Sequence, residues 1–207
     1  LEINPFLLHD ELRCNPFVRA LAIWSAALAG LMMILVGGLI PSALIIPGHD
    51  LSPKILSLPS TWQVPCLLLT ALISGPRAAV IASVAYLIVG VFHLPIFHEG
   101  GSLNYLFSPG FGFLTGFIPA AWLTGFLAQK TKGNDLIYLT LCAIAGVLML
   151  QIWGSIYLVI GSSIGNWADP LPKLLFSYSI APLPAQITLC PAVGLIALTL
   201  RRALLLE

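Results

Sequence analysis

Apolar residues run along this chain in long continuous blocks, not in the one-faced patterns of soluble helices or strands. The first block covers residues 17–39 and is rich in Leu, Ile, Ala and Met. That exceeds the roughly 20 residues a helix needs to cross a hydrocarbon core of about 30 Å. Further blocks fall at about residues 61–75, 78–92, 109–128, 136–160 and 182–200, with Gly75 and Pro76 separating the second from the third. The pattern predicts an all-α integral membrane protein, a single transmembrane domain in which six helices form a bundle. Residues 1–16, with Glu2, His9, Asp10, Glu11 and Arg13, read as a polar amino-terminal arm.

Two connections carry more information than the rest. Pro41, Pro47, Gly48, Asp50, Pro53 and Pro59 punctuate a Leu- and Ile-containing stretch, which predicts a connection lying at the membrane surface. Between His93 and Ser108 the chain turns polar and Gly-rich while keeping Leu94, Ile96, Phe97, Tyr105 and Phe107. Irregular backbone survives at membrane depth only where protein or a water-filled cavity satisfies its polar groups. This stretch is therefore expected to be a loop folded back into the protein between the third and fourth helices.

Composition supports the membrane reading: 58% of residues are hydrophobic and 8% charged, against roughly 25% charged in soluble domains. A net charge of +1 with no dense basic cluster excludes nucleic acid as a partner. Cys14, Cys66, Cys142 and Cys190 are too widely spaced to suggest a CxxC metal site or a disulfide framework. With six spans, Arg13, Arg19, Arg77, Lys130, Lys132, Arg201 and Arg202 share the side of the two termini, against Lys54 and Lys173 opposite. The positive-inside rule then predicts that both termini are cytoplasmic.

The uncommon polar and aromatic residues gather in the outer half of that arrangement. Trp62 and Gln63 open the second span, Glu99 and Asn104 lie in the folded-back loop, Trp153 and Tyr157 end the fifth span, and Gln186 opens the sixth. Each alone can be interface decoration. Their convergence from separate segments suggests a small-molecule site of apolar walls with a few placed polar groups. Gly100, Gly101, Gly110 and Gly112 would permit positive φ or close approach of the main chain. His93, His98 and Glu99 match no familiar metal-ligand spacing, and a nucleophile–base pair or HExxH helix is missing, so neither a metal nor a catalytic residue is expected.

The stretch from Thr61 to Phe117 resembles the BioY family, the biotin-binding S-components of energy-coupling-factor (ECF) vitamin transporters. Thr61, Trp62 and Gln63 stand where that family shows Thr-Leu-Gln, and Leu94, Pro95, Ile96 and Phe97 with Gly100 and Gly101 where it shows Leu-Pro-Val-Phe and small residues. The run from Ser108 to Phe117 looks like its Gly-Pro-Thr-Gly-Gly-Tyr-Leu-x-Gly-Phe. The resemblance implies a non-enzymatic, substrate-binding subunit of a vitamin uptake transporter in a prokaryotic inner membrane, capturing biotin at the outer face. Its implied partners are membrane lipid, a transmembrane coupling subunit and two cytoplasmic ATPases that use the ATP, with no cofactor of its own. No GxxxxGK[ST] phosphate loop occurs in this chain, in keeping with hydrolysis in trans.

On the residues present, the implied ligand site comprises Thr61, Gln63, Phe97, Glu99, Gly100, Gly101, Asn104, Tyr105, Pro109, Gly110, Trp153, Tyr157 and Gln186. Ala22 and Ala26 occupy the place of the small-residue face that docks on the coupling subunit. Phe111 and Lys173 are further candidates, for the apolar slot and for the ligand carboxylate. One departure stands out: where the family carries Pro-Gly-Asp and a Lys three residues on, this chain reads Pro184, Ala185, Gln186 and Leu189. That leaves open an S-component for a different vitamin or biotin-like molecule, and more remotely an intramembrane enzyme using His98 and Glu99.

Overall fold

The structure is a computed structural model that describes residues 16–47, 53–92, 103–130, 135–165, 167 and 169–204. Helix α1 spans Pro16–Leu39. A hairpin of strands β1 (Pro41–Pro47) and β2 (Pro53–Thr61) follows, antiparallel, with Leu44 opposite Leu56 and Pro47 opposite Pro53. Helix α2 covers Gln63–Phe92. A 3₁₀ turn at Leu103–Phe107 leads to the short helix α3 (Phe111–Thr115) and then to α4 (Phe117–Lys130). Helix α5 is Leu136–Ile164, α6 is Leu171–Leu175, a π turn covers Phe176–Ile180, and α7 is Leu183–Ala203.

Five stretches are long and apolar enough to cross a membrane: Pro16–Leu39, Gln63–Phe92, Phe111–Lys130, Leu136–Ile164 and Leu171–Ala203. The second of these is two helices. Gly75 interrupts α2 with φ 80° and ψ 178°, a backbone state that costs glycine little and side-chain-bearing residues much. A methyl group placed on Gly30 of α1 would stand 3.1 Å from Thr70 Oγ1 and 3.3 Å from Ala82 Cβ. In a straight helix those two residues would be about 18 Å apart along the axis. The chain therefore folds back at Gly75 and Pro76, and arms 63–74 and 76–92 lie side by side as two of six bundle helices.

The exposed face of α1 carries Phe17, Leu21, Trp24, Leu28, Met32 and Val36. In water such a stripe would be an aggregation site; against lipid tails it is ordinary. Inside, Ile34, Leu67, Leu72, Leu139, Val147 and Leu150 belong to one buried cluster. Small residues bring the helices close: Gly37 of α1 meets Cys66 Sγ at 2.7 Å from its would-be Cβ, and Gly194 of α7 meets Thr140 Oγ1 at 2.6 Å. Close approach through glycine is how helices gain packing contact where no hydrophobic force drives them together.

The β hairpin is an element that the apolar-block pattern did not foresee. Both strands are edges of a two-stranded sheet, so Pro41, Pro47, Pro53 and Pro59 remove no interior ladder bond. Arg19, Arg77, Lys130, Arg201 and Arg202 all fall at the end of the bundle holding the start of α1, the α2 bend and the end of α7. The hairpin, the 3₁₀ turn and the start of α7 sit at the opposite end.

Candidate functional site

At the hairpin end the helices part around a cavity of about 470 Å³, within the roughly 300–1,000 Å³ range of small-molecule sites. Its rim is the foot of the hairpin, with Gly38, Leu39, Pro41, Ser60 and Thr61. Val64, Leu114 and Leu150 contribute aliphatic wall, and Tyr86, Tyr105, Phe113, Phe117 and Tyr178 an aromatic one. The rings brace each other: Tyr86 stacks on Phe117 with centroids 6.0 Å apart, and Phe113 on Tyr178 at 6.3 Å. Tyr178 reaches the cavity from the π turn, whose wide bond runs from Ala181 N to Phe176 O at 2.9 Å.

Two carboxamides supply the strongest polar groups. Gln63 opens α2 beside the Tyr86 hydroxyl, and its Nε2 is buried with no hydrogen-bond partner among the described residues. Gln186 enters from the first turn of α7, 8% exposed, and its Oε1 accepts a 2.8 Å bond from Gln151 Nε2. A buried donor without a partner costs about 1–3 kcal/mol, so Gln63 Nε2 is held ready for an acceptor that the described residues do not provide. No Asp, Glu, Lys, Arg or His stands among the described lining residues.

Of the residues singled out from sequence, Thr61, Gln63, Tyr105, Gly110 and Gln186 line this cavity. Phe97, Glu99, Gly100 and Gly101, together with His93 and His98, lie outside the described residues, as does the Asn104 side chain. Gly110 has φ −69°, so it serves by close approach and not by a left-handed backbone. A Cβ there would stand 2.7 Å from the Tyr105 hydroxyl. Gly112 serves the same purpose against the Tyr157 ring. Pro109 is half-buried in the turn before α3 and is not on the wall.

Trp153 and Tyr157 stand behind the wall. Tyr157 donates its hydroxyl to Leu106 O at 2.7 Å and meets Phe111 edge-on, with ring centroids 6.3 Å apart. Trp153 Nε1 donates to Thr115 Oγ1 at 3.2 Å and is 44% exposed. Trp167 Nε1, donating to Phe107 O at 2.8 Å, joins Tyr157 in holding the 3₁₀ turn. Lys173 is paired with Asp169 at 2.7 Å, both exposed, and is not on the cavity wall. Tyr157→Phe should therefore loosen the turn that carries Tyr105, lowering thermal stability in detergent by about 1 kcal/mol while ligand still binds. A loss of binding with no change in stability would put the hydroxyl on the ligand instead.

Tyr86, Phe113, Phe117 and Leu150 were not legible as wall residues, because each sits inside an apolar run with no local mark distinguishing cavity from core, and Tyr178, between Ser177 and Ser179, reads as part of a connection. The tyrosine hydroxyls were the available signal, since a phenol deep in a membrane helix needs a polar neighbour.

A bundle of apolar helices with an amide- and tyrosine-lined cavity at one end, uncharged over its described lining, defines a multi-pass membrane protein with a pocket of small-molecule size. The chain belongs to the BioY family, which it matches over residues 19–205. It is 34% identical over 92 residues to the biotin transporter BioY of Thermotoga maritima, covering 44% of this chain and 54% of that protein. With the biotin transporter BioY of Rhizobium etli it shares 27% identity over 135 residues, 59% of this chain and 72% of the other. The fold is that of a crystallised S-component for biotin from an ECF-type ABC transporter, with a TM-score of 0.67, 21% identity, and coverage of 91% of this chain and 94% of that one.

Proposed function

We propose that this protein is the substrate-binding subunit of an ECF-type vitamin uptake transporter and that the cavity takes biotin. The observation that carries this reading is the pair of carboxamides, Gln63 and Gln186, on an aromatic-rich wall whose described residues carry no charge. A ureido ring offers a carbonyl acceptor and two N–H donors, which amides and phenols match, while the thiophane ring and aliphatic tail suit Phe113, Phe117 and Leu150. Membership of the BioY family supports the same ligand.

The positively charged end of the bundle is the cytoplasmic one in this reading, so the cavity opens outward from a prokaryotic inner membrane. The chain performs no chemistry on its substrate; transport energy comes from a transmembrane coupling subunit and two ATPases. Ala22 and Ala26 are the docking face for that coupling subunit. Ala22 is exposed and Ala26 half-buried near the cytoplasmic end of α1, which leaves room for a second helix to approach. Ala22→Leu or Ala26→Leu should reduce co-purification with the coupling subunit and leave biotin affinity in detergent unchanged. Parallel loss of both would mean that the face packs within this chain.

Gln186 and Leu189 favour a second reading, an S-component for another small vitamin, because the acid and base usual there are absent. A thermal-unfolding screen separates the two. Ligand at a hundredfold excess over its Kd stabilises the folded state by about 2.7 kcal/mol, so biotin should raise the melting temperature. A rise with a different vitamin and none with biotin would transfer the site to that ligand.

A further inference from the structure

We infer that Gln151, a residue outside the cavity wall, sets the ligand specificity of the cavity by fixing which end of the Gln186 carboxamide faces the ligand; this rests on the reading of the cavity as a biotin site. Gln151 sits on α5 one position after the wall residue Leu150 and is 4% exposed. On its other side it borders a membrane-facing groove with Leu148, Ile152, Ile156 and Leu183. Its Nε2 donates to Gln186 Oε1 at 2.8 Å, which holds that oxygen toward α5 and leaves Nε2 as the end of the Gln186 carboxamide turned to the cavity.

A glutamine on a cavity wall can ordinarily turn about its last torsion and offer either a donor or an acceptor. The Gln151 bond removes that choice. Turning both carboxamides over would keep one hydrogen bond between them but exchange the free atoms. Burial decides between the two states. In the observed state the atom left without a partner is Gln151 Oε1, a carbonyl oxygen; in the turned state it would be an amide N–H beside apolar side chains. Under-satisfied buried carbonyls are tolerated more often than orphaned N–H groups, so the pair rests with a donor toward the cavity.

The cavity then presents two amide donors, Gln186 Nε2 and the unpartnered Gln63 Nε2. The tyrosine hydroxyls can donate or accept and so do not set this polarity. The fixed Gln186 donor selects a ligand group with free lone pairs, such as the carbonyl oxygen of a cyclic urea, over a group that can only donate. Protonated 2-iminobiotin is such a group: an iminium N–H replaces the ureido oxygen, and the rest of the ligand is unchanged.

The test compares biotin with 2-iminobiotin at pH 7, where the guanidino group is protonated, on purified wild type, Gln151→Leu and Gln151→Met. Methionine keeps the length of the side chain and protects the test if leucine disturbs packing. Wild type should prefer biotin strongly. Both variants free Gln186 to turn its oxygen to the ligand, so the preference should narrow by about tenfold, the worth of one hydrogen bond. Equal loss of affinity for both ligands, with the preference intact, would make Gln151 a packing residue and overturn the inference alone. A folded wild type that binds neither ligand would overturn the biotin reading and this inference together.

Discussion

Gln63→Leu is expected to lower biotin affinity by roughly fivefold to somewhat over a hundredfold, among the largest losses from a single side chain on the cavity wall. The donor Nε2 is buried and has no hydrogen-bond partner among the described residues, so none of these holds it in the empty protein. Ligand binding satisfies it without breaking a protein bond first, which lets nearly the full strength of a buried bond appear as affinity. Leucine removes the donor and leaves the ligand carbonyl desolvated against an apolar wall, at about 1–3 kcal/mol; each 1.4 kcal/mol is tenfold in Kd. Because the substitution also removes an unpaired polar atom, the empty variant should melt no lower than wild type. Titration of purified variant with labelled biotin checks this. Affinity within threefold of wild type would mean that Gln63 does not meet the ligand.

Gly125→Val is expected to prevent stable folding. A Cβ on Gly125 of α4 would stand 2.5 Å from Pro76 N and 2.8 Å from both Gly75 C and Pro76 Cα. These are backbone atoms of the α2 bend, and no rotamer change can move them. The bend itself has little freedom, since Gly75 already holds φ 80° and Pro76 fixes its own φ. Relief requires α4 to part from the bend, uncovering the close packing between them. Overpacking of this kind costs about 3 kcal/mol or more when the neighbour cannot yield. Membrane accumulation and the melting temperature in detergent should both fall sharply. A variant that accumulates and melts like wild type would contradict the folded-back geometry of α2.

Much of this architecture could be read from the chain because lipid imposes simple demands. A helix must be apolar for its whole length and must satisfy its own backbone, so each apolar run marked a helix, and Gly75, Pro76 and Arg77 marked the bend. The β hairpin was harder to see. Its prolines read as loop punctuation, although Ile45 and Ile46 before Pro47 and Gly48, with Ile55 and Leu56 after, form a strand–turn–strand pattern. Within the site, Gln63 and Gln186 were legible because polar residues from separate segments converge on one end of the bundle, although a carboxamide at a helix start can by itself simply meet water. Gln151 was not, because its role depends on a bond to a residue on another helix 35 positions away. Trp153 and Tyr157 were placed at the right end of the bundle, but side-chain direction sends them to Thr115 and the 3₁₀ turn, and sequence spacing does not encode that direction.

The cavity between the hairpin and the start of α7, whose described lining carries no charged side chain, is proposed as a biotin site. Isothermal titration of the purified, folded protein with biotin near neutral pH tests it most directly. The account predicts saturable binding of one biotin per chain, with the negative heat-capacity change that burial of apolar surface produces and loss of affinity in Gln63→Leu. A folded, monodisperse sample that shows no saturable biotin binding, or binding unaltered by Gln63→Leu and Gln186→Leu together, would contradict it.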